Sequence, residues 1–419
     1  MATPAAPAVG KVKSPSSTPV PTVDHRIRLA RFCGLAEVVA LQSLQRRTAC
    51  ITRVVIVRSR ARNPAVEKLA RALCREGHNV TLLRWNRSGD PDRNVQSEYG
   101  VAEFRLQAPY DQPAAFFFIP FWQIFEFFYL LTHDNEIIHA CDLDTLVPAI
   151  LAKVIKGVKL CYTIFDVYAD NLPSKTPKML RRLVRSFERR GTEFADYLFV
   201  VNEFQLEQLS LQRTQRLECL YNAPEDVDSS NPHRDVPGRL TLFYGGLLLR
   251  TRGLERIIDV VTESAGLRLV VAGSGPDASF FTGLTAGFGD KVELIGWVPN
   301  AEVIKKTQEA DAVIALYDPA VRSNTYASPN KLFEAMMCRR PIITNVETVA
   351  GKIVQEEGCG ITVPYGDREA LRSALELLRD DVELREELAE RGRRAYDLRY
   401  SWKLMTERLF RAYESLENL

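Results

Sequence analysis

Along residues 53–57 the apolar positions do not alternate with polar ones. Arg53-Val-Val-Ile-Val is a continuous β-branched run, which suits a strand covered on both faces in a parallel sheet. The period then changes: Val66, Leu69, Ala70 and Leu73 recur at helical spacing, and Gly77 is placed to cap the end of that helix. Asn79-Val-Thr-Leu-Leu-Arg-Trp reads as a second strand, so the segment is a strand–helix–strand unit of a doubly wound sheet. The alternation continues with a strand at Ile137-Ile-His-Ala, a helix from Thr145 to Ile155 and a strand at Lys159-Leu-Cys-Tyr-Thr-Ile. A long basic helix from Lys178 to Ala195 and a strand at Tyr197-Leu-Phe-Val-Val follow.

The polar stretch from Asn222 to Gly238 has the composition of a linker. A second series begins at Leu240-Thr-Leu-Phe-Tyr-Gly-Gly, with a helix at Gly253–Ser264 and a strand at Leu267-Arg-Leu-Val-Val-Ala-Gly. Strands are expected again at Val292-Glu-Leu-Ile, Ala312-Val-Ile-Ala-Leu, Pro341-Ile-Ile-Thr and Gly360-Ile-Thr-Val. Two such series with a hinge between them imply an α/β fold of two facing Rossmann-like domains, each a doubly wound parallel sheet, with an interdomain cleft. The expected boundaries are a disordered tail over 1–24, a first domain over 25–222, a linker over 223–238 and a second domain over 239–396. Helices rich in Glu and Arg close the chain, the last around Trp402, Met405, Leu409 and Tyr413.

The Pro-, Ala- and Ser-rich tail lacks the apolar core of a secretory signal, so a cytoplasmic protein is expected. Arg28 to Arg47 reads as a short basic helix outside the main fold. The segment 114–131, AAFFFIPFWQIFEFFYLL, is about long enough to span a bilayer, but Pro120, Gln123 and Glu126 interrupt it. It reads either as a buried helix of the first domain or as one whose aromatic face dips into a membrane interface.

Composition narrows the classes. The chain has 419 residues, 46% of them hydrophobic, and a formal net charge of +2, which is too balanced for a nucleic-acid-binding protein. Its 8 cysteines are scattered without a CxxC pair, so reduced thiols are expected rather than a disulfide framework. With only 5 histidines, a His-rich metal centre is not expected.

The chemistry gathers in the second series. In Ala327-Ser-Pro-Asn-Lys-Leu-Phe-Glu, Ser328 is placed to cap a helix, Pro329 suits its first turn, and Asn330, Lys331 and Glu334 follow. A helix start offers free N–H groups to a diphosphate, Lys331 adds a full charge, and Glu334 is placed to accept from ribose hydroxyls. Taken alone this is an ordinary capped helix with a solvated Lys and Glu. Two further loops change that. Gly245-Gly246 leads into Arg250 and Arg252, and Gly273-Ser-Gly275-Pro follows its strand directly, although it lacks the third glycine of GxGxxG. Three such features at the carboxyl ends of strands in one sheet lie where open α/β sheets bind ligands.

These segments, with Ile295-Gly-Trp-Val-Pro, resemble the donor domain of the retaining GT-B glycosyltransferases of family 4, and the resemblance covers roughly residues 52–417. The first domain adds Glu67-Lys-Leu-Ala, Gly77-His-Asn-Val, Ile138-His-Ala-Cys-Asp-Leu-Asp-Thr, Ala195-Asp and Val200-Val-Asn-Glu. The resemblance implies that a sugar is taken from a nucleotide diphosphate carrier with retention of configuration. It also implies that 239–396 binds the donor and that a last helix over 397–419 crosses back to complete the acceptor-side first domain. Donor contacts would come from Gly245, Gly246, Arg250, Arg252, Gly273, Gly275, Ser328, Asn330, Lys331 and Glu334, with the base read near Trp297 and Val298. No metal or cofactor is then required, because Arg252, Lys331 and the helix start would carry the charge of the leaving diphosphate.

Departures accompany the resemblance. The family's first glutamate position holds Tyr326, its usual arginine is replaced by Gly246, and Arg252 stands where a lysine is expected. The family's first-domain histidine position holds Cys141, leaving His139 and Asp142 nearby as candidates for acceptor orientation or proton handling, with a hydrogen-bonded strand-end role for His139 equally open. Asp142-Leu-Asp144 matches the DxD metal motif of another glycosyltransferase architecture, but the two-domain pattern argues against that use. Lys175, Lys178, Arg181, Arg182, Arg185, Arg189 and Arg190 cluster around one helix near the aromatic segment. Such a face suits either plain solvation or weak peripheral contact with an anionic membrane carrying a polyprenyl-phosphate-linked or glycan acceptor. A sugar-nucleotide epimerase, a non-catalytic nucleotide-sugar-binding protein and, least of all, a Rossmann oxidoreductase remain as alternatives.

Overall fold

The computed structural model describes residues 52–60, 63–87, 98–109, 117–172, 176–214, 216–227, 236 and 238–418. The expected tail, the basic helix at Arg28–Arg47, residues 114–116, Lys175 and most of the linker lie outside the described residues.

The first series comprises β1 (Arg53–Arg58), α1 (Pro64–Glu76), β2 (Asn79–Asn86), β3 (Gly100–Arg105), α2 (Ile119–Thr132), β4 (Ile137–Cys141) and α3 (Leu143–Lys156). It continues with β5 (Lys159–Ile164), α4 (Lys178–Thr192), β6 (Tyr197–Val200), α5 (Phe204–Leu209) and β7 (Leu217–Cys219). The strands form one seven-stranded parallel sheet in the order β3-β2-β1-β4-β5-β6-β7. Its central strands are buried along their length, as the continuous apolar runs predict. Gly77 ends α1 at φ 106°, its N–H reaching the carbonyls of Cys74 and Leu73.

The second series runs β8 (Leu240–Gly245), α6 (Leu254–Glu263), β9 (Leu267–Ala272), α7 (Ala278–Leu284), β10 (Val292–Gly296), α8 (Asn300–Glu309) and β11 (Ala312–Ala315). There follow α9 (Arg322–Tyr326), α10 (Asn330–Met337), β12 (Ile342–Asn345), α11 (Val349–Glu357), β13 (Gly360–Val363), α12 (Arg368–Asp380), α13 (Val382–Ala395) and α14 (Trp402–Glu417). Its six parallel strands are ordered β10-β9-β8-β11-β12-β13. Both sheets thus reverse direction of winding beside their first strand, between β1 and β4 and between β8 and β11. Those are the switch points at which open α/β sheets form ligand crevices. The architecture is GT-B: two Rossmann-like domains facing one another.

The last helix joins the two series. α14 packs against α1 and β7, and Met405, Leu409, Ala412, Tyr413 and Leu416 lie in one core with the first sheet. Residues 222–227 have no regular structure but are tied down: Pro224 accepts from the Tyr396 hydroxyl at 2.8 Å, and Asp226 pairs with Arg393 at 3.0 Å.

The aromatic segment is not a wholly buried helix. Within α2 only Trp122, Glu126 and Leu130, one stripe at helical spacing, are buried, while Phe121, Ile124 and Phe128 are each more than half exposed. The strands β3 and β7 are short edge strands with no expectation from the sequence.

Candidate functional site

The carboxyl ends of the two sheets face each other across a cleft of about 440 Å³. The second-domain wall is built where β8 ends and β9 passes beneath it. The Gly246 N–H donates to Ala272 at 2.8 Å, and the Gly273 N–H donates to Gly296 at 2.7 Å. A Cβ on Gly273, at φ 154°, would come within 1.8 Å of the Gly246 carbonyl oxygen, so only glycine lets the two turns stack. A Cβ on Gly246 would meet Lys331 Nζ at 2.6 Å. The end of the Lys331 side chain therefore fills the space into which a side chain at position 246 would begin to grow.

Lys331 Nζ lies 4.6 Å from the Tyr244 ring centroid and 5.6 Å from that of Tyr317, and the Arg252 guanidinium lies 5.0 Å from Tyr317. Tyr317 is held by its N–H, which donates to Asn345 at 2.8 Å, and the Asp318 N–H donates to Thr251 at 3.0 Å, fixing the turn that carries Arg252. Among the described residues neither cation is within ion-pair distance of a carboxylate. Two positive charges converge on one aromatic floor, and the carboxyl electrostatically coupled to Lys331, that of Glu334, is one whose charged form burial disfavours.

The adjoining helix α10 begins at Asn330, with Pro329 at its cap position and no side chain capping it. Ser328 was expected to cap; instead the helix starts beyond its reach, and its Oγ is buried without a hydrogen-bond partner. Glu334 is buried one turn on, and burial raises its carboxyl pKa against the opposing pull of Lys331 and of Lys68 from the first domain. Lys68 donates to the Ala223 carbonyl and lies 4.6 Å from the Trp402 ring. Its own pKa is lowered to about 8, because burial outweighs the attraction of Glu334 and Glu225.

The first-domain wall is lined by Arg58 at the end of β1, Phe165 and Asp166 beyond β5, and Val201 beyond β6. Asp142 sits behind it, at φ 67°. Its carboxylate accepts from the Phe165 N–H at 2.8 Å and the Asp166 N–H at 3.4 Å, and it pairs with Arg58. Asp142 thus holds the cleft-lining loop and the Arg58 guanidinium in place from the back. The two domains touch here too, as Asn202 Nδ2 donates to the Tyr326 carbonyl at 3.1 Å.

Of the residues singled out from the sequence, Gly245, Gly246, Arg252, Ser328, Asn330, Lys331 and Glu334 line this cleft. The others do not. His139 is wholly buried, with Nδ1 2.8 Å from the Tyr413 hydroxyl and Nε2 2.6 Å from Thr163 Oγ1, and burial lowers its pKa to about 3. Arg250 points away, pairing with Glu255 at 3.4 Å and stacking 4.4 Å from Phe280. Gly275 packs on the Leu248 backbone, and Val298 is half-buried against a small cluster with Phe243 and Ala272. Arg58, Asp166, Tyr317 and Lys68 were missed by sequence reasoning. For Arg58 and Asp166 a signal existed, since Arg58 directly follows the apolar run of one predicted parallel strand and Asp166 lies two residues beyond another.

Comparison with known proteins bears on the two-domain architecture. Residues 63–223 match the family model described as "Glycosyl transferase 4-like domain" and residues 238–381 the one described as "Glycosyl transferases group 1". A lipopolysaccharide core biosynthesis glycosyltransferase, LpsD of Rhizobium meliloti (strain 1021), is 27% identical over 164 residues, 39% of this chain and 46% of that protein. The chain thus aligns with about half the length of this curated relative. Sucrose-phosphate synthase from Thermosynechococcus elongatus superposes with a TM-score of 0.68 at 16% identity, over 88% of this chain and 99% of that one. Anabaena HepE in complex with UDP-glucose superposes with a TM-score of 0.63 at 14% identity, over 88% of this chain and 100% of that one. Two family models in sequence over the two facing sheets, together with the fold, place this chain in the GT-B glycosyltransferase family.

Proposed function

We propose that this protein transfers a sugar from a nucleoside diphosphate sugar to an acceptor, with retention of anomeric configuration. The observation that carries the reading is the pair Arg252 and Lys331, neither in an ion pair among the described residues, beside the uncapped start of α10 and the unpartnered Ser328 hydroxyl. A diphosphate supplies the missing negative charge and the missing hydrogen-bond acceptors at once. Charge grows on that group as the glycosidic bond breaks, so cations already in place lower the barrier without rearranging. In this reading the counter-charge is the protein's own and no metal is called on. Glu334 receives the ribose hydroxyls. Asp166, the carboxylate on the opposite wall, orients the acceptor hydroxyl, and Asp142 positions it through the loop they share. The complex of Anabaena HepE with UDP-glucose supports a donor of this class, and the name of LpsD supports a cell-envelope glycan as acceptor.

The outer face of the first domain extends the reading to a cytoplasmic membrane surface. α2, α3 and α4 pack side by side and expose Phe121, Phe128, Val154, Leu183 and Phe187 next to the arginines of α4. Apolar side chains rimmed by cations fit the interface of an anionic leaflet. Among the described residues no helix is long and apolar enough to cross a membrane.

A thermal-shift screen of UDP-, GDP- and ADP-sugars, followed by analysis of the product and its anomer, tests the function. Lys331→Ala is expected to weaken donor binding about tenfold to a hundredfold, the loss of one charge-assisted contact, and Glu334→Ala somewhat less. Unchanged donor binding in both variants would refute the site. An altered free sugar nucleotide appearing without acceptor would show an epimerase instead.

A further inference from the structure

Beside the donor cleft lies a second groove of about 510 Å³, between the start of α4 and residues 320–322 of the second domain. Five cationic side chains line it, Lys178, Arg181, Arg182, Arg185 and Arg322, against the single carboxylate of Asp170. That carboxylate is already saturated. It pairs with Arg185 at 2.5 Å and Arg322 at 2.9 Å, and it accepts from Gln208 at 2.5 Å. Arg181 donates to the Ala169 and Leu172 carbonyls at 3.0 and 2.9 Å, which orients its guanidinium. Lys178 and Arg182 are exposed and have no ion-pair partner among the described residues, and the Nε of Arg185 is buried without an acceptor. So dense a cluster of like charge repels itself in the free protein, and a bound oxyanion relieves it. Guanidinium forks match the geometry of phosphate oxygens in particular.

On both walls the groove and the cleft are lined by neighbouring stretches of chain. On the first-domain side Asp166 lines the cleft and Asp170 the groove; on the other, α9 runs from Arg322 in the groove to Tyr326, and Ala327 and Ser328 line the cleft. A molecule whose hydroxyl reaches the donor sugar near Asp166 can therefore lay a charged group here. We propose that this groove is the acceptor's anion subsite, holding a phosphate or diphosphate carried by the molecule that receives the sugar. The proposal rests on the sugar-transfer reading. The oxyanion has two sources, a lipid headgroup or a water-soluble phosphorylated glycan, and the exposed Met179, Leu183 and Phe187 along the same helix offer a lipid chain somewhere to lie.

Calorimetric titration of the full chain with inorganic phosphate tests the subsite in the parent, in Lys178→Glu/Arg182→Glu and in Lys331→Ala. The charge-reversed pair is expected to lose at least tenfold in phosphate affinity while its thermal shift with a nucleotide sugar stays unchanged; Lys331→Ala should show the opposite pattern. Lys178→Gln/Arg182→Gln repeats the measurement should the reversed pair fold poorly. Arg189→Glu/Arg190→Glu, farther along the helix, should leave phosphate affinity within twofold. Equal losses in both reversed pairs would reduce the groove to a diffuse positive field and overturn the proposal, as would unchanged phosphate binding in Lys178→Glu/Arg182→Glu. A parent protein that binds phosphate in the groove yet responds to no nucleotide sugar would overturn the sugar-transfer reading instead. Dihexanoyl phosphatidic acid below its micelle-forming concentration separates the sources. Affinity tenfold above that of inorganic phosphate assigns the subsite to a lipid-linked acceptor, and equal affinity assigns it to a water-soluble one.

Discussion

Glu126 faces the core from α2 with neither carboxyl oxygen hydrogen-bonded, and the Oδ1 of Asp144 nearby is likewise without a partner. Burial, reinforced by the charge of Asp144, raises the Glu126 pKa well above the ordinary carboxylate value. The folded protein therefore holds its proton more tightly than the unfolded chain, so its contribution is most favourable below pH 4.5 and declines as pH rises. Glu126→Met keeps the volume and removes the orphaned carboxyl, and is expected to stabilise the protein by roughly 1–3 kcal/mol at pH 7.5. Urea unfolding at pH 7.5 and at pH 4.5 checks this, with the gain shrinking at the lower pH. A variant less stable than the parent at pH 7.5 would mean the carboxyl has a partner. At this scale the sequence spoke unevenly. Lys331 and Glu334 were legible because helix-start chemistry is local. The reason for Gly246 was not, since the ammonium that fills its space arrives from a distant helix. Ser328 shows the opposite failure: the capping pattern was present, but the helix begins too late to use it.

Among the elements, legibility follows burial. The strands β1, β4 and β5 are covered on both faces, and their unbroken apolar runs announce them. β3 is only half-buried throughout and β7 has three residues, so neither has a pattern strong enough to read. α2 is apolar on nearly every side, and periodicity cannot say which stripe a helix buries when all its stripes are alike. The stripe left outside, with those of α3 and α4, is larger than the scattered apolar residues of an ordinary surface. Vesicles containing anionic lipid are expected to sediment the protein at low salt and to release it at high salt. Each arginine near such a surface contributes about 1 kcal/mol, so Arg189→Gln/Arg190→Gln should weaken binding roughly thirtyfold. Leu183→Glu/Phe187→Glu should abolish it. A protein that stays in solution at low salt would show that these helices meet something other than lipid.

The whole molecule is closed by α14, and one contact with a consequence for pH behaviour joins that helix to the first sheet. His139 on β4 lies between Thr163 on β5 and Tyr413 on α14, fully enclosed. Its place beside the family's histidine position suggested chemistry, and no local pattern could show that a tyrosine 274 residues later takes its nitrogen. Burial lowers the pKa to about 3, so the folded state keeps the ring neutral while the unfolded chain protonates near 6.5. The sign follows: the contribution is present above pH 6.5 and is lost as pH falls toward 3. Between pH 7 and pH 5 this one group should cost the protein about 2 kcal/mol of stability. His139→Gln can still donate to and accept from the same two hydroxyls but does not titrate, so its urea midpoint should fall by less over that interval, although it starts lower at pH 7. If the variant loses stability as steeply as the parent, the acid sensitivity lies elsewhere and the α14 contact is not its source. If the slopes separate, α14 is the element whose release acid promotes. Because Met405 and Tyr413 on that helix share a core with Phe333 on α10, next to Glu334, donor binding should then weaken over the same pH range in the parent and hold in His139→Gln.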